Sequence, residues 1–87
     1  MSGKEPEVAK IPHVVVKLHP GRSEQQKIRL AEEIVKEVLA IIKCEEKSVS
    51  MAIEEIKPED WAERVHGPDI LHNSGKLYKR PGYNPFE

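Results

Sequence analysis

Apolar and polar residues alternate from His13 to His19, with Val14, Val16 and Leu18 on one side and His13, Val15, Lys17 and His19 on the other. A period of two predicts a strand with one apolar face. Pro12 heads it, at one of the few sheet positions where a missing N–H does no harm. Pro20-Gly21 ends the strand, and the apolar spacing changes to threes and fours at Ile28, Ala31, Ile34, Val35, Val38, Leu39, Ile41 and Ile42. That spacing predicts an amphipathic helix to about Lys43. Ser23 and Gln26, three residues apart, predict a capping box at its start. A second strand is expected over Ser48 to Ile56, with Val49, Met51 and Ile53 opposite Ser50, Ala52, Glu54 and Ile56.

Strand, helix and strand in that order predict an α/β (α+β) fold built on one βαβ unit, whose strands run parallel because the connection is a helix. Two strands do not cover such a helix and close a core. A chain of 87 residues buries only roughly 60 to 65% of its unfolded surface on folding. With one cysteine it has no internal disulfide, and it has no spaced Cys/His pairs of a structural zinc site. Self-association is therefore expected to complete the sheet, as a homodimer in the first instance and a hexamer in the second.

Beyond Lys57 the pattern weakens. Pro58 suits the first turn of a short helix carrying Trp61, Ala62 and Val65, and Gly67-Pro68 is expected to break it. A turn with Ile70 and Leu71, a loop at Asn73-Ser74-Gly75 and an extended piece at Lys76 to Tyr78 should follow, as a tail that covers a sheet edge or a neighbouring subunit. At the other end, residues 1–11 are polar and aperiodic and read as a flexible arm, leaving 12–87 as the domain with its tail.

Fourteen Lys and Arg against fifteen Asp and Glu, interleaved along the helix, argue against a nucleic-acid surface. The chain has no apolar run near the roughly 20 residues of a membrane span, and residues 1–10 lack the apolar centre of a signal peptide. A soluble, cytoplasmic protein with no membrane partner is expected. His66 and His72 are not spaced as a helical metal pair, and no metal site is expected. Cys44, at the helix end, reads as a small half-buried hydrophobe.

The order of Pro12, Gly21-Arg22-Ser23-Glu24-Gln25-Gln26-Lys27 and Ser48-Val49-Ser50-Met51 resembles the tautomerase superfamily, in particular the 4-oxalocrotonate tautomerase family, over about Pro12 to Lys57. Pro58-Glu59-Asp60-Trp61 and Lys79-Arg80-Pro81-Gly82-Tyr83 resemble its longer, dimeric branch. The resemblance implies an isomerase of small enol or α-keto acids that needs no cofactor. It further implies that Pro12 is the general base, that Arg22 binds a substrate carboxylate, that Ser50 stands where the family has a second arginine, and that Trp61 walls the pocket. Such chemistry requires a base titrating near neutrality and fixed positive charge for the developing enolate.

One feature opposes catalysis. In the family the proline is the amino terminus, a free secondary amine, whereas here Met1 to Ile11 precede it. A proline nitrogen within a peptide bond is a resonance-stabilised amide with no lone pair to give. Two functions stay open at this point: a tautomerase in which Pro12 is freed as the terminus, and an altered, non-catalytic oligomer of the same fold that binds a small carboxylate. His13 and His19 are the residues that could substitute as base.

Overall fold

The computed structural model describes residues 11–84; the expected arm lies almost wholly outside them. Strand β1 spans His13–Leu18, helix α1 Glu24–Ile42, strand β2 Ser50–Glu55 and helix α2 Pro58–Trp61. A π-helical segment, Ala62–Leu71, continues α2, and single 3-10 turns occupy Glu46–Ser48 and Ser74–Lys76. The two strands form one sheet. They are parallel: Ser50 N–H donates to the Pro12 carbonyl at 3.3 Å and Ile56 N–H to the Leu18 carbonyl at 2.8 Å, so the same offset holds from end to end.

The chain divides into two compact units. The first holds Gly21–Glu54 and the strand up to Val16. Its strand alternates as the sequence predicts, with Val14 and Val16 half-buried and His13 and Val15 exposed. Ser23 caps α1: its Oγ accepts from Gln26 N–H at 3.1 Å, while the Gln26 side chain accepts from Ser23 N–H at 2.9 Å. The helix stops at Lys43, which turns left-handed at φ 63° and donates its N–H to the Leu39 carbonyl at 3.0 Å. Glu46–Ser48 then takes a 3-10 turn, which is why β2 begins at Ser50 rather than Ser48.

No residue of α1 is fully buried. Ala31, Ile34, Val35, Val38 and Leu39 are half-covered, and Ile41 is 71% exposed. A groove of about 370 Å³ runs along Ile34, Val38, Ile41 and Ile42. Another, of about 760 Å³, runs along Ala31, Val35 and Leu39. The open sheet and these uncovered apolar flanks are the geometry that completion by another subunit would relieve.

The second unit holds Lys17–Pro20 and the chain from Glu55. Its core is Ile56, Val65 and His66, each at most 5% exposed. Pro58 opens α2 at the position where a missing N–H costs nothing. The expected break at Gly67-Pro68 does not occur: the helix widens instead, with His72 N–H donating to the Gly67 carbonyl at 3.0 Å, five residues back. A π-type turn accommodates the residue that an α-helix cannot, because Pro68 disturbs the i to i−4 ladder that the wider turn abandons. Lys17 Nζ meets Asp69 Oδ2 at 2.6 Å and ties the strand end to this segment. The extended piece expected at Lys76 to Tyr78 starts inside the Ser74–Lys76 turn, and no strand forms there; Leu77, which follows the turn, has extended backbone. Among the described residues no helix is long and apolar enough to cross a membrane.

Lys43 carries a testable consequence. A left-handed conformation costs an L-residue roughly 1 to 2 kcal/mol, partly offset in a glycine by its freer unfolded chain. Lys43→Gly should raise the unfolding free energy by about 0.5 kcal/mol in urea titrations, the balance of those two terms; a loss of stability would contradict this cap geometry.

Candidate functional site

Pro12 is half-buried and immediately precedes β1, where its carbonyl receives the Ser50 N–H. That bond sets Ser50 directly beside His13, and both side chains project from the face opposite Val14. His13 Nδ1 and Ser50 Oγ lie 2.6 Å apart and share a hydrogen bond whose direction depends on the imidazole tautomer. The pair links residues 37 apart in sequence. It was invisible in the sequence, where His13 and Ser50 are each only members of a polar strand face; the signal that finds it is the parallel register, which depends on the crossover.

Arg22 lies in the same unit, in the turn between β1 and α1. Gly21 adopts φ +123°, a conformation open in practice to glycine, and so turns the chain to present Arg22 just before the Ser23 cap. Arg22 is exposed, and among the described residues its guanidinium has no hydrogen bond or ion pair. A planar, permanently charged fork held by a rigid turn suits a carboxylate. Pro12, Ser50 and Arg22 thus belong to one unit.

Trp61 belongs to the other. Its ring packs edge-on against His19, with centroids 4.8 Å apart at 89°. Its indole N–H donates to the Tyr83 hydroxyl at 2.9 Å. Tyr83 in turn lies against the buried His66, ring to ring at 5.5 Å. The indole is therefore held both at its ring and at its polar atom, by a strand-end histidine and by the tail. Tyr83 enters the sequence reading only as the last residue of Lys79-Arg80-Pro81-Gly82-Tyr83, with no role of its own, since it stands beyond the last periodic segment. His72 is exposed while His66 is buried, so the two imidazoles occupy different environments. Cys44 is half-buried, as its place at the helix end predicts.

Chemically the first unit offers an oriented imidazole at the head of β1 and, beyond the strand's other end, the Arg22 guanidinium, unpaired among the described residues. The Pro12 nitrogen, bonded to Ile11, is an amide there and not a base.

The Trp61 bond is open to direct measurement because the chain has a single tryptophan. Tyr83→Phe should cost about 1 kcal/mol of stability, the usual net worth of one hydrogen bond, and should shift the fluorescence of Trp61 at unchanged secondary structure. An emission spectrum identical to that of the parent would mean that the bond does not form.

Comparison with known proteins gives a consistent result. The family model described as "Tautomerase enzyme" matches residues 12–68. A protein of Xylella fastidiosa described as "Probable tautomerase" is 37% identical over 73 residues, which span 84% of this chain and 89% of that protein. "Tautomerase PptA" of Cronobacter sakazakii is 34% identical over 74 residues, covering 84% of this chain and 97% of its own length. Among solved structures, YwhB, a homologue of 4-oxalocrotonate tautomerase, superposes with a TM-score of 0.52 at 33% identity, over 53% of this chain and 75% of YwhB.

Proposed function

This chain belongs to the tautomerase family, and from that premise we propose that it is an isomerase which moves a proton between carbon and oxygen, or between carbons, of small enol or α-keto acids, with Pro12 as general base once it is the amino terminus. The observation that carries this reading is the family match over residues 12–68, which begins at Pro12 and includes Arg22; Pro12 heads β1, and Arg22, unpartnered among the described residues, stands on the glycine-fixed turn beyond the strand's other end.

In the proposed mechanism the substrate carboxylate takes the Arg22 guanidinium, a charge-assisted and bidentate contact. The freed secondary amine of Pro12 removes a proton from the carbon next to the carbonyl, the electron pair moves into the enol system, and the same proton is returned at the far end. Trp61 is proposed as an apolar substrate-binding residue, a role in which excluding water strengthens the charges it faces. The cycle needs no cofactor, because the proton that leaves is the proton that returns. Removal of residues 1–11 is a requirement of this mechanism, since only a free amine has the lone pair.

The Ile11–Pro12 peptide bond supports a second reading, in which the chain keeps Arg22 and binds a small carboxylate without turning it over. The two differ in a simple comparison. The protein purified from its own source should begin at Pro12 by amino-terminal sequencing and intact mass, and should ketonise the enol form of phenylpyruvate or 2-hydroxymuconate. The chain that retains residues 1–11 should be at least about 100-fold slower, the scale of one general base. Equal rates for the two forms would remove Pro12 from the mechanism. In the active form Arg22→Ala should lower kcat/KM by about 10- to 100-fold, as for loss of a hydrogen bond to a charged group.

Self-association is part of the same proposal, with a second copy of this chain as the occupant of the α1 flanks. The apolar grooves along Ile34, Val38 and Ile41 and along Val35 and Leu39 support it, as does the open sheet. Sedimentation should give a multiple of the 9.9 kDa chain mass, with a dimer as the smallest species. Ile41→Glu, at a position 71% exposed in the single chain, should shift that equilibrium toward monomer without unfolding it; a monomer in the parent would refute the assembly.

A further inference from the structure

The basic residues of the tail have no part in the proposed proton transfer. From Ile70 to Asn84 the chain carries Lys76, Lys79 and Arg80 and no aspartate or glutamate. Asp69, the acid just before that stretch, is already paired with Lys17 Nζ at 2.6 Å. The segment therefore carries net positive charge although the chain as a whole is near neutral. Among the described residues the Arg80 guanidinium has no hydrogen bond or ion pair.

The same segment lines a cavity of about 190 Å³ that lies entirely within the second unit. Its walls are apolar: Ile70, Leu77, Pro81 and the ring of Tyr83. The buried His66 forms the floor, with its ring 5.5 Å from that of Tyr83. Ser74 and Arg80 are exposed and so stand at the mouth. An apolar cavity of roughly 150 Å³ takes a benzene ring, so this one has room for a single ring and little more. Apolar walls with a few polar groups at one end are the usual composition of a small-ligand site. A guanidinium at the mouth selects a carboxylate, which its planar fork meets with two hydrogen bonds.

We propose that this cavity is a binding site for a small aromatic monocarboxylate, whose ring packs on Leu77 and Tyr83 and whose carboxylate is held at the mouth by Arg80, with the Ser74 hydroxyl as a second donor. Inorganic phosphate satisfies the guanidinium but leaves the apolar walls in water. A neutral aromatic covers the walls but leaves the guanidinium unmatched, so only the combination uses both. The site does not depend on the reading of Pro12 and Arg22, since neither residue lines it. It also carries its own reporter: the hydroxyl of Tyr83 accepts the Trp61 N–H at 2.9 Å, so an occupant stacked on the Tyr83 ring acts on the indole.

The test is calorimetric titration with benzoate, followed in parallel by Trp61 fluorescence, on the full chain carrying Arg22→Ala so that the proposed carboxylate anchor is absent. Benzoate should bind at one site per chain and shift the Trp61 emission. Adding Arg80→Ala should weaken that binding about 10- to 100-fold, as for loss of a hydrogen bond to a charged group. Arg80→Lys, which keeps the charge but not the fork, should weaken it less. Inorganic phosphate and benzyl alcohol should each bind at least about tenfold more weakly than benzoate. Arg80 is exposed, so its replacement should leave the fold intact, which circular dichroism of each variant checks. The proposal is overturned if the Arg22→Ala chain does not bind benzoate, if adding Arg80→Ala leaves the affinity unchanged, or if phosphate or benzyl alcohol binds as tightly. Benzoate binding to the parent that disappears with Arg22→Ala places the acid at the Arg22 anchor and equally removes this site.

Discussion

The parallel pairing of β1 with β2 is the constraint from which the rest follows. Two parallel strands cannot be joined by a tight turn, so the chain must travel the length of the sheet and return, and α1 is that return path. The register that results is uniform, from the Pro12–Ser50 bond to the Leu18–Ile56 bond. At one end it puts a serine hydroxyl against His13. At the other it delivers Ile56 into the buried cluster with Val65 and His66.

The two units differ in how complete they are. The second closes a small core and braces it with the Lys17–Asp69 ion pair and the chain of rings His19, Trp61, Tyr83 and His66. That ion pair is about one third exposed at each side chain, so solvent screening leaves it a modest contribution and the apolar cluster the larger one. Among the described residues the first unit buries nothing fully, because a helix with apolar residues on more than one face has too little strand to cover it. Both the proposed assembly and the openness of the head of β1 come from that same deficit of covering surface.

The chemistry of the chain turns on one nitrogen. Family membership supports tautomerase-type function, and proton transfer by the proposed route requires a free amine at Pro12. The same atom in a peptide bond has no lone pair to give, which is the ground of the second reading, binding without turnover. In the proposed readings the guanidinium on its rigid turn serves either outcome, since an acid is bound before anything reacts.

Much of the architecture is local in origin, and it was legible for that reason. Alternation at Val14, Val16 and Leu18, the threes and fours of α1 and the Ser23–Gln26 box each depend on residues within a few positions of one another, and each was found where the pattern puts it. Gly67-Pro68 misled because a proline's local preference is to end an α-helix, whereas here the segment widens into a π-type turn around it. The bond between His13 and Ser50 and that between Trp61 and Tyr83 could not be read from the sequence at all. Each joins residues whose separation is set by the path of the whole chain between them, so the sequence determined which side chains exist and on which face they stand, and only the tertiary register decided which of them meet.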